Sequence, residues 1–115
     1  RGIRNAKVLV LGLAYKKNVD DDRESPSYKI IEILTRWGAR VDYHDPYVPV
    51  IKPTRHFPEF AGRPSVGLDR AAEYDAVLVA TDHDAIDWAA LLEAAKLIVD
   101  TRGVYRTPYE RVVPA

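Results

Sequence analysis

The sequence predicts an α/β fold, a doubly wound parallel sheet in three layers, as a single domain over residues 1–115. Three observations predict it. Short apolar runs, Val8–Leu11, Ala76–Ala80 and Leu97–Val99, have the unbroken hydrophobicity of strands covered on both faces. Stretches with helical spacing and capping residues alternate with them. The residues after the first run form a polar, charged segment at the end of the strand, where open α/β sheets carry their ligands. The expected architecture is Rossmann-like, with at least four parallel strands and helices on both faces.

The elements follow in order. Ala6–Leu11 is the first strand. Ser25 is an N-cap and Pro26 occupies the first helical position, where its missing N–H costs nothing. Ile30, Ile33, Leu34 and Trp37 fall at i, i+3, i+4 and i+7 and predict one apolar helix face; Gly38 ends the helix. Arg40–His44 alternates like a strand and stops at Asp45-Pro46, which completes a βαβ unit with an expected right-handed crossover. Pro46, Pro49, Pro53, Pro58 and Pro64, five of the eight prolines, break up residues 46–64 into a long irregular excursion, expected to be a partly mobile surface loop. Leu68–Tyr74 reads as a short helix and Ala76–Ala80 as a strand. Asp84 is the expected cap of a helix through Trp88, Leu91 and Leu92 to Ala95. Leu97–Val99 is the fourth strand, Asp100–Gly103 its exit loop, and Val104–Tyr109 an edge strand or tail. Trp37 and Trp88 are expected in the core.

Composition removes several function classes. Seventeen basic and 17 acidic residues balance to zero, unlike the one-sided excess of a general nucleic-acid binder. With no cysteine there is no disulfide, thiolate metal site or cysteine nucleophile in this chain. No apolar run has the length of a membrane span. The chain starts at Arg1 and has no methionine, so it is expected to be a piece of a longer protein.

The segment from Gly12 to Ser25 carries the candidate chemistry. Roughly a dozen residues separate strand from helix, where about 2–6 are usual. Lys16 or Lys17 can meet phosphate oxygens as point charges. Arg23 can make forked hydrogen bonds to phosphate or ribose, and Tyr15 offers a flat face to a base. For Lys16 and Arg23, pairing with Asp20, Asp21 and Asp22 is an equal alternative. Arg102 leaves the fourth strand at the same sheet edge as Tyr15, Lys16 and Arg23, so the four can converge on one cleft. A dinucleotide site is poorly supported. Gly12 stands without the further glycines that let backbone approach a pyrophosphate, and Asp45 suits a turn before Pro46 better than a ribose. Consecutive aspartates cannot all converge on one ion, and His44, His56 and His83 have no ligand spacing, so no metal site is expected. His83 either lines the cleft or is an ordinary loop histidine, the latter being favoured. No nucleophile–histidine pair is implied for Ser25 or Ser27.

Four stretches make the sequence recognisable. Lys7–Lys17 followed by Asp20–Ser27, then Gly38–Pro46, and then Asp75–Thr81 with Val99–Gly103 resemble the C-terminal domain of the UDP-sugar and GDP-mannose 6-dehydrogenases over nearly the whole chain. The resemblance implies a nucleotide-sugar-binding domain of a larger enzyme. Its N-terminal NAD-binding domain and helical middle region would lie outside this chain. Such enzymes oxidise the C6 alcohol of the sugar to a carboxylate in two NAD-dependent steps, through a cysteine that this chain lacks. The chain alone would therefore bind without catalysing and would hold no catalytic residue. By motif position, Tyr15 and Lys16 match the aromatic–lysine pair that holds the nucleotide of the UDP-sugar substrate. Arg102 matches the arginine on its ribose side, and Arg23 an arginine that reaches across the interdomain cleft toward NAD. UDP-glucose enzymes usually have phenylalanine at the place of Tyr15 and often proline at that of Lys17, so the wording is more similar to the UDP-N-acetylhexosamine branch. UDP-glucose or GDP-mannose as substrate, or a non-catalytic nucleotide-binding module, remain the alternatives. The resemblance further implies a cytoplasmic enzyme of polysaccharide biosynthesis, a homo-oligomer when full-length, with neither nucleic acid nor membrane as partner.

Overall fold

The computed structural model describes residues 3–14, 17–18 and 25–114. Five strands form one parallel sheet: β1 (Lys7–Leu11), β2 (Arg40–His44), β3 (Ala76–Val79), β4 (Ile98–Asp100) and β5 (Val112–Pro114), in the order β2-β1-β3-β4-β5. The central strand β1 is apolar throughout because both of its faces are covered. Val8 and Val10 enter one core, Leu9 and Leu11 the other. β2 lies at an edge and alternates, with Val41 and Tyr43 buried and Arg40 and Asp42 exposed.

Helix α1 (Pro26–Arg36) covers the first face. Ser25 caps it as expected, its Oγ accepting the Ser27 N–H at 3.1 Å, with Pro26 at the start. Its buried stripe differs from the expected one. Ser27, Tyr28 and Ile31 are buried and Leu34 packs beside them, whereas Trp37 is 60 % exposed. Two contacts near the first turn set this rotation. Ser27 donates from Oγ to the Gly12 carbonyl at 2.8 Å, and Tyr28 joins an aromatic stack with Phe57 and Phe60. Trp37 follows the last helical residue and projects from the core.

The proline-rich excursion is not a loose loop. Val48, Ile51 and Phe60 are buried against α1 and β2. Ile51 exchanges backbone hydrogen bonds with Gly62 and Arg63, and the Tyr43 hydroxyl donates to the Val48 carbonyl at 2.8 Å. The apolar residues between the prolines anchor a segment that has little regular structure beyond a 3₁₀ turn at Pro58–Phe60.

The second face is closed by α2 (Trp88–Ala94) and by a 3₁₀ helix at Leu68–Glu73, around Tyr74, Val77, Val79, Leu91 and Ile98. Trp88 packs at the margin of this core. Asp87, rather than Asp84, caps α2, accepting the Ala90 N–H at 3.0 Å. The fifth strand lies beyond the expected 104–109 segment, which instead packs Tyr105 against Trp88. Burial first, and then the charges of Asp100 and Asp87, push the Tyr105 phenol up to about 12, so it stays a donor to the Trp88 carbonyl at 2.7 Å.

Arg111 ties the C-terminal segment to α2. The last turn of α2 has no basic residue of its own, and the Arg111 guanidinium donates to the carbonyls of Leu92 and Ala95, each at 2.8 Å. Arg111→Ala is expected to lower stability by about 1–2 kcal/mol, with β5 and the end of α2 losing amide-exchange protection before the rest of the sheet. Uniform loss of protection would show that Arg111 is no local clasp.

Candidate functional site

A sheet of order 2-1-3-4-5 reverses direction between β1 and β3, and the crevice outside their carboxyl ends is where such folds bind ligands. Here the chain leaving β1 goes to α1 on one face, and the chain leaving β3 goes to α2 on the other. The two exit loops are tied together. Gly12 adopts φ +102°, and Thr81 of the β3 exit lies against its α-carbon so closely that a Cβ there would come within 2.4 Å of the Thr81 Cβ. The Thr81 hydroxyl donates to the Ala14 carbonyl at 2.9 Å.

Asp45 is the hub of this region. Its side chain is buried, and four N–H groups converge on it. Oδ2 accepts from the backbone of Leu13 (2.7 Å) and Ala14 (3.0 Å) and contacts His83 Nε2 (2.9 Å); Oδ1 accepts from Tyr47 N (2.8 Å). The Tyr47 bond is the turn role expected of Asp45, and the other three reach across to two other loops. His83 is 0 % exposed, so it is not an ordinary loop histidine. Its Nδ1 accepts the Asn18 N–H at 2.7 Å, which assigns the proton to Nε2 and makes that nitrogen the donor to Asp45. Asn18 and Asp84 then pair reciprocally: Asn18 Nδ2 donates to Asp84 Oδ2 at 2.7 Å, and Asp84 N donates to Asn18 Oδ1 at 2.8 Å. The Asn18 amide, and then the Lys17 ammonium, hold the exposed Asp84 carboxyl below the usual aspartate range.

Arg102 is held at the same edge. Asp100 is buried at the end of β4 and accepts the Arg102 and Tyr105 N–H groups, shaping the exit turn. The Arg102 Nε donates to the Ala80 carbonyl at 2.8 Å, which fixes an exposed guanidinium beside the end of β3. Among the described residues no carboxylate forms an ion pair with it. Tyr15, Lys16 and Arg23 lie outside the described residues, as do Asp20, Asp21 and Asp22. Of the four predicted site residues, Arg102 is therefore the one whose position at the crevice can be stated. Sequence reasoning missed Asn18 and Thr81 and undervalued His83. The available signal was that Asp45, Thr81 and His83 all follow strands; that these strands flank β1 emerges only with the strand order.

The β1 turn does not fit a dinucleotide pyrophosphate. The space in front of Gly12 is filled by Thr81, and Asp45, at the place of a ribose-binding acid, is buried and already accepts four donors. Among the described residues no group of three His, Cys, Asp or Glu side chains could hold a metal ion, and no helix is long and apolar enough to cross a membrane.

Proteins similar to this chain in sequence and fold include nucleotide-sugar dehydrogenases. The chain is 36% identical over 109 residues to a UDP-glucose 6-dehydrogenase of Rhizobium meliloti, covering 90% of this chain and 24% of that protein. It is 32% identical over 109 residues to a UDP-N-acetyl-D-mannosamine dehydrogenase of Pyrococcus horikoshii, covering 90% and 23%. The solved structure of the Pyrococcus horikoshii UDP-D-ManNAc dehydrogenase superposes with TM-score 0.69 at 29% identity, over 96% of this chain and 25% of that one. The UDP-N-acetyl-mannosamine dehydrogenase Cap5O from S. aureus superposes with TM-score 0.68 at 28% identity, over 96% and 26%. The chain thus spans about a quarter of the length of these relatives. Residues 9–107, from β1 through the Arg102 turn, match the UDP-glucose/GDP-mannose dehydrogenase family, UDP binding domain, and with the sheet order and crevice described above the chain belongs to that family.

Proposed function

We propose that this chain is the nucleotide-sugar-binding domain of a longer NAD-dependent dehydrogenase, which oxidises the C6 alcohol of a UDP-N-acetylhexosamine to a carboxylate in two steps. The observation that carries the reading is Arg102, an unpaired guanidinium among the described residues, held by Ala80 at the sheet's switch point. A diphosphate between two domains needs fixed cations on each side. In this reading Tyr15 and Lys16 hold the nucleotide with Arg102, and Arg23 reaches toward NAD. NAD itself is held mainly by the rest of the polypeptide, in keeping with the poor fit of the β1 turn to a pyrophosphate. The remaining domains, and a homo-oligomer of the full-length protein, complete the site.

The test is NADH formation by the full-length protein across a panel of nucleotide sugars. The expected result is turnover with UDP-N-acetylhexosamines above UDP-glucose and GDP-mannose. The 36% identity to a UDP-glucose 6-dehydrogenase favours UDP-glucose as the second reading, and preference for it would select that reading. NADH formation with none of the panel, alongside UDP binding, would leave a non-catalytic nucleotide module.

Lys16→Ala and Arg102→Ala are each expected to reduce kcat/KM for the nucleotide sugar about ten- to a hundredfold, the loss of one charge-assisted hydrogen bond of roughly 1.5–3 kcal/mol. Arg23→Ala is expected to raise the NAD requirement or lower turnover while UDP affinity is kept. Melting temperatures should hardly move if these cations serve the ligand rather than ion pairs within the fold. Variants that unfold while their folded fraction keeps full activity would assign these residues to ion pairing instead.

A further inference from the structure

We propose that His83 and Asp45 form a positioning clamp that presets the backbone at Leu13, Ala14 and Asn18, beside the crevice at the ends of β1 and β3, for a nucleoside diphosphate. The proposal rests on the nucleotide-binding reading above. In the Leu13–Asn18 segment, Leu13 and Ala14 at the start and Asn18 at the end are held by groups that follow two different strands. At its start, Asp45 after β2 takes the Leu13 and Ala14 N–H groups, while Thr81 after β3 donates to the Ala14 carbonyl. At its end, His83 takes the Asn18 N–H and the Asp84–Asn18 pair closes the outside. His83 Nε2 to Asp45 Oδ2, at 2.9 Å and fully buried, joins the two anchorages. Tyr47 lies edge-on to the imidazole, ring centroids 4.8 Å apart, and walls it off.

A buried polar pair is a poor way to fill space, because an apolar pair of similar volume avoids its desolvation. What an apolar pair cannot do is hold three backbone N–H groups of a loop that belongs to no helix or strand. Asn18 sits at φ +64°, a backbone conformation that its amide favours and that the bond to His83 locks. Backbone already held in place costs less ordering when a diphosphate binds beside it. His83 and Asp45 are thus positioning residues.

The test uses the full-length protein with two readouts, UDP affinity by calorimetry and amide exchange of peptides spanning residues 12–18 without ligand. His83→Phe keeps a ring but removes both hydrogen bonds. It is expected to accelerate exchange in this segment, leave β1 and β3 protected, and weaken UDP binding about tenfold, as for loss of a buried hydrogen bond. His83→Asn retains an acceptor for the Asn18 N–H and is expected to restore part of that protection. Asp84→Ala, an exposed change that leaves the core untouched, should speed exchange at the Asn18 end and weaken UDP binding about threefold. If His83→Phe folds with unchanged exchange and affinity, the proposal is overturned. If it fails to fold, Asp84→Ala decides, and an unchanged segment there overturns it. Wild-type protein that binds no UDP would overturn the nucleotide reading instead, with the exchange readout still deciding whether the clamp sets the loop.

Discussion

Gly12→Ala is expected to cost about 3 kcal/mol or more of stability. Two terms add. At φ +102° an L-residue is strained, typically by about 1–2 kcal/mol. The added methyl would also meet the Cβ of Thr81 at 2.4 Å and its backbone N at 2.7 Å, and overpacking of a tight interior costs about 1–3 kcal/mol more. Neither neighbour is the free end of a flexible side chain, so the β1 and β3 exits must separate, which pulls the Thr81 hydroxyl from Ala14. Urea unfolding measures the loss. Gly62→Ala is the control, because Gly62 has φ +87° but nothing within 4 Å of an added Cβ; it should show the conformational term alone. Equal losses at the two glycines would mean that the Thr81 contact is relieved at no cost.

Asp45→Asn is expected to be the next most damaging change, at about 2–4 kcal/mol. A carboxylate offers acceptors on both oxygens, and here both are used: three donors on Oδ2 and one on Oδ1. An amide keeps one oxygen. Whichever way it turns, its NH₂ faces at least one of these N–H groups, and a donor left without its acceptor costs about 1–3 kcal/mol where it is buried, more where the lost partner was charged. Chemical unfolding measures the loss of stability, and exchange at Leu13, Ala14 and Tyr47 shows where it arises. A change below about 0.5 kcal/mol would show that the carboxylate charge is not what gathers these donors.

The sequence by itself determined the strands β1 to β4, the Ser25-Pro26 helix start and the place of Arg102 in a strand-exit loop. Each depends on signals within a few residues: continuous or alternating apolar runs and a capping hydroxyl before proline. The end of the chain was less legible. β5 has only three residues, and its alignment depends on β4 and on Arg111 reaching α2. The α1 stripe was misjudged because helical spacing alone ranks Trp37 with Ile33 and Leu34, whereas the contacts of Ser27 and Tyr28 choose the face. The order β2-β1-β3-β4-β5 was decided only in the tertiary structure, and with it the meeting of Asp45, His83 and Asn18. These three lie far apart in the chain. No local preference links a carboxylate after the second strand, a histidine after the third and an amide in the loop of the first. They meet because β2 and β3 both pair with β1, so the loops leaving all three strands emerge at one edge, and buried polar groups brought there must satisfy one another.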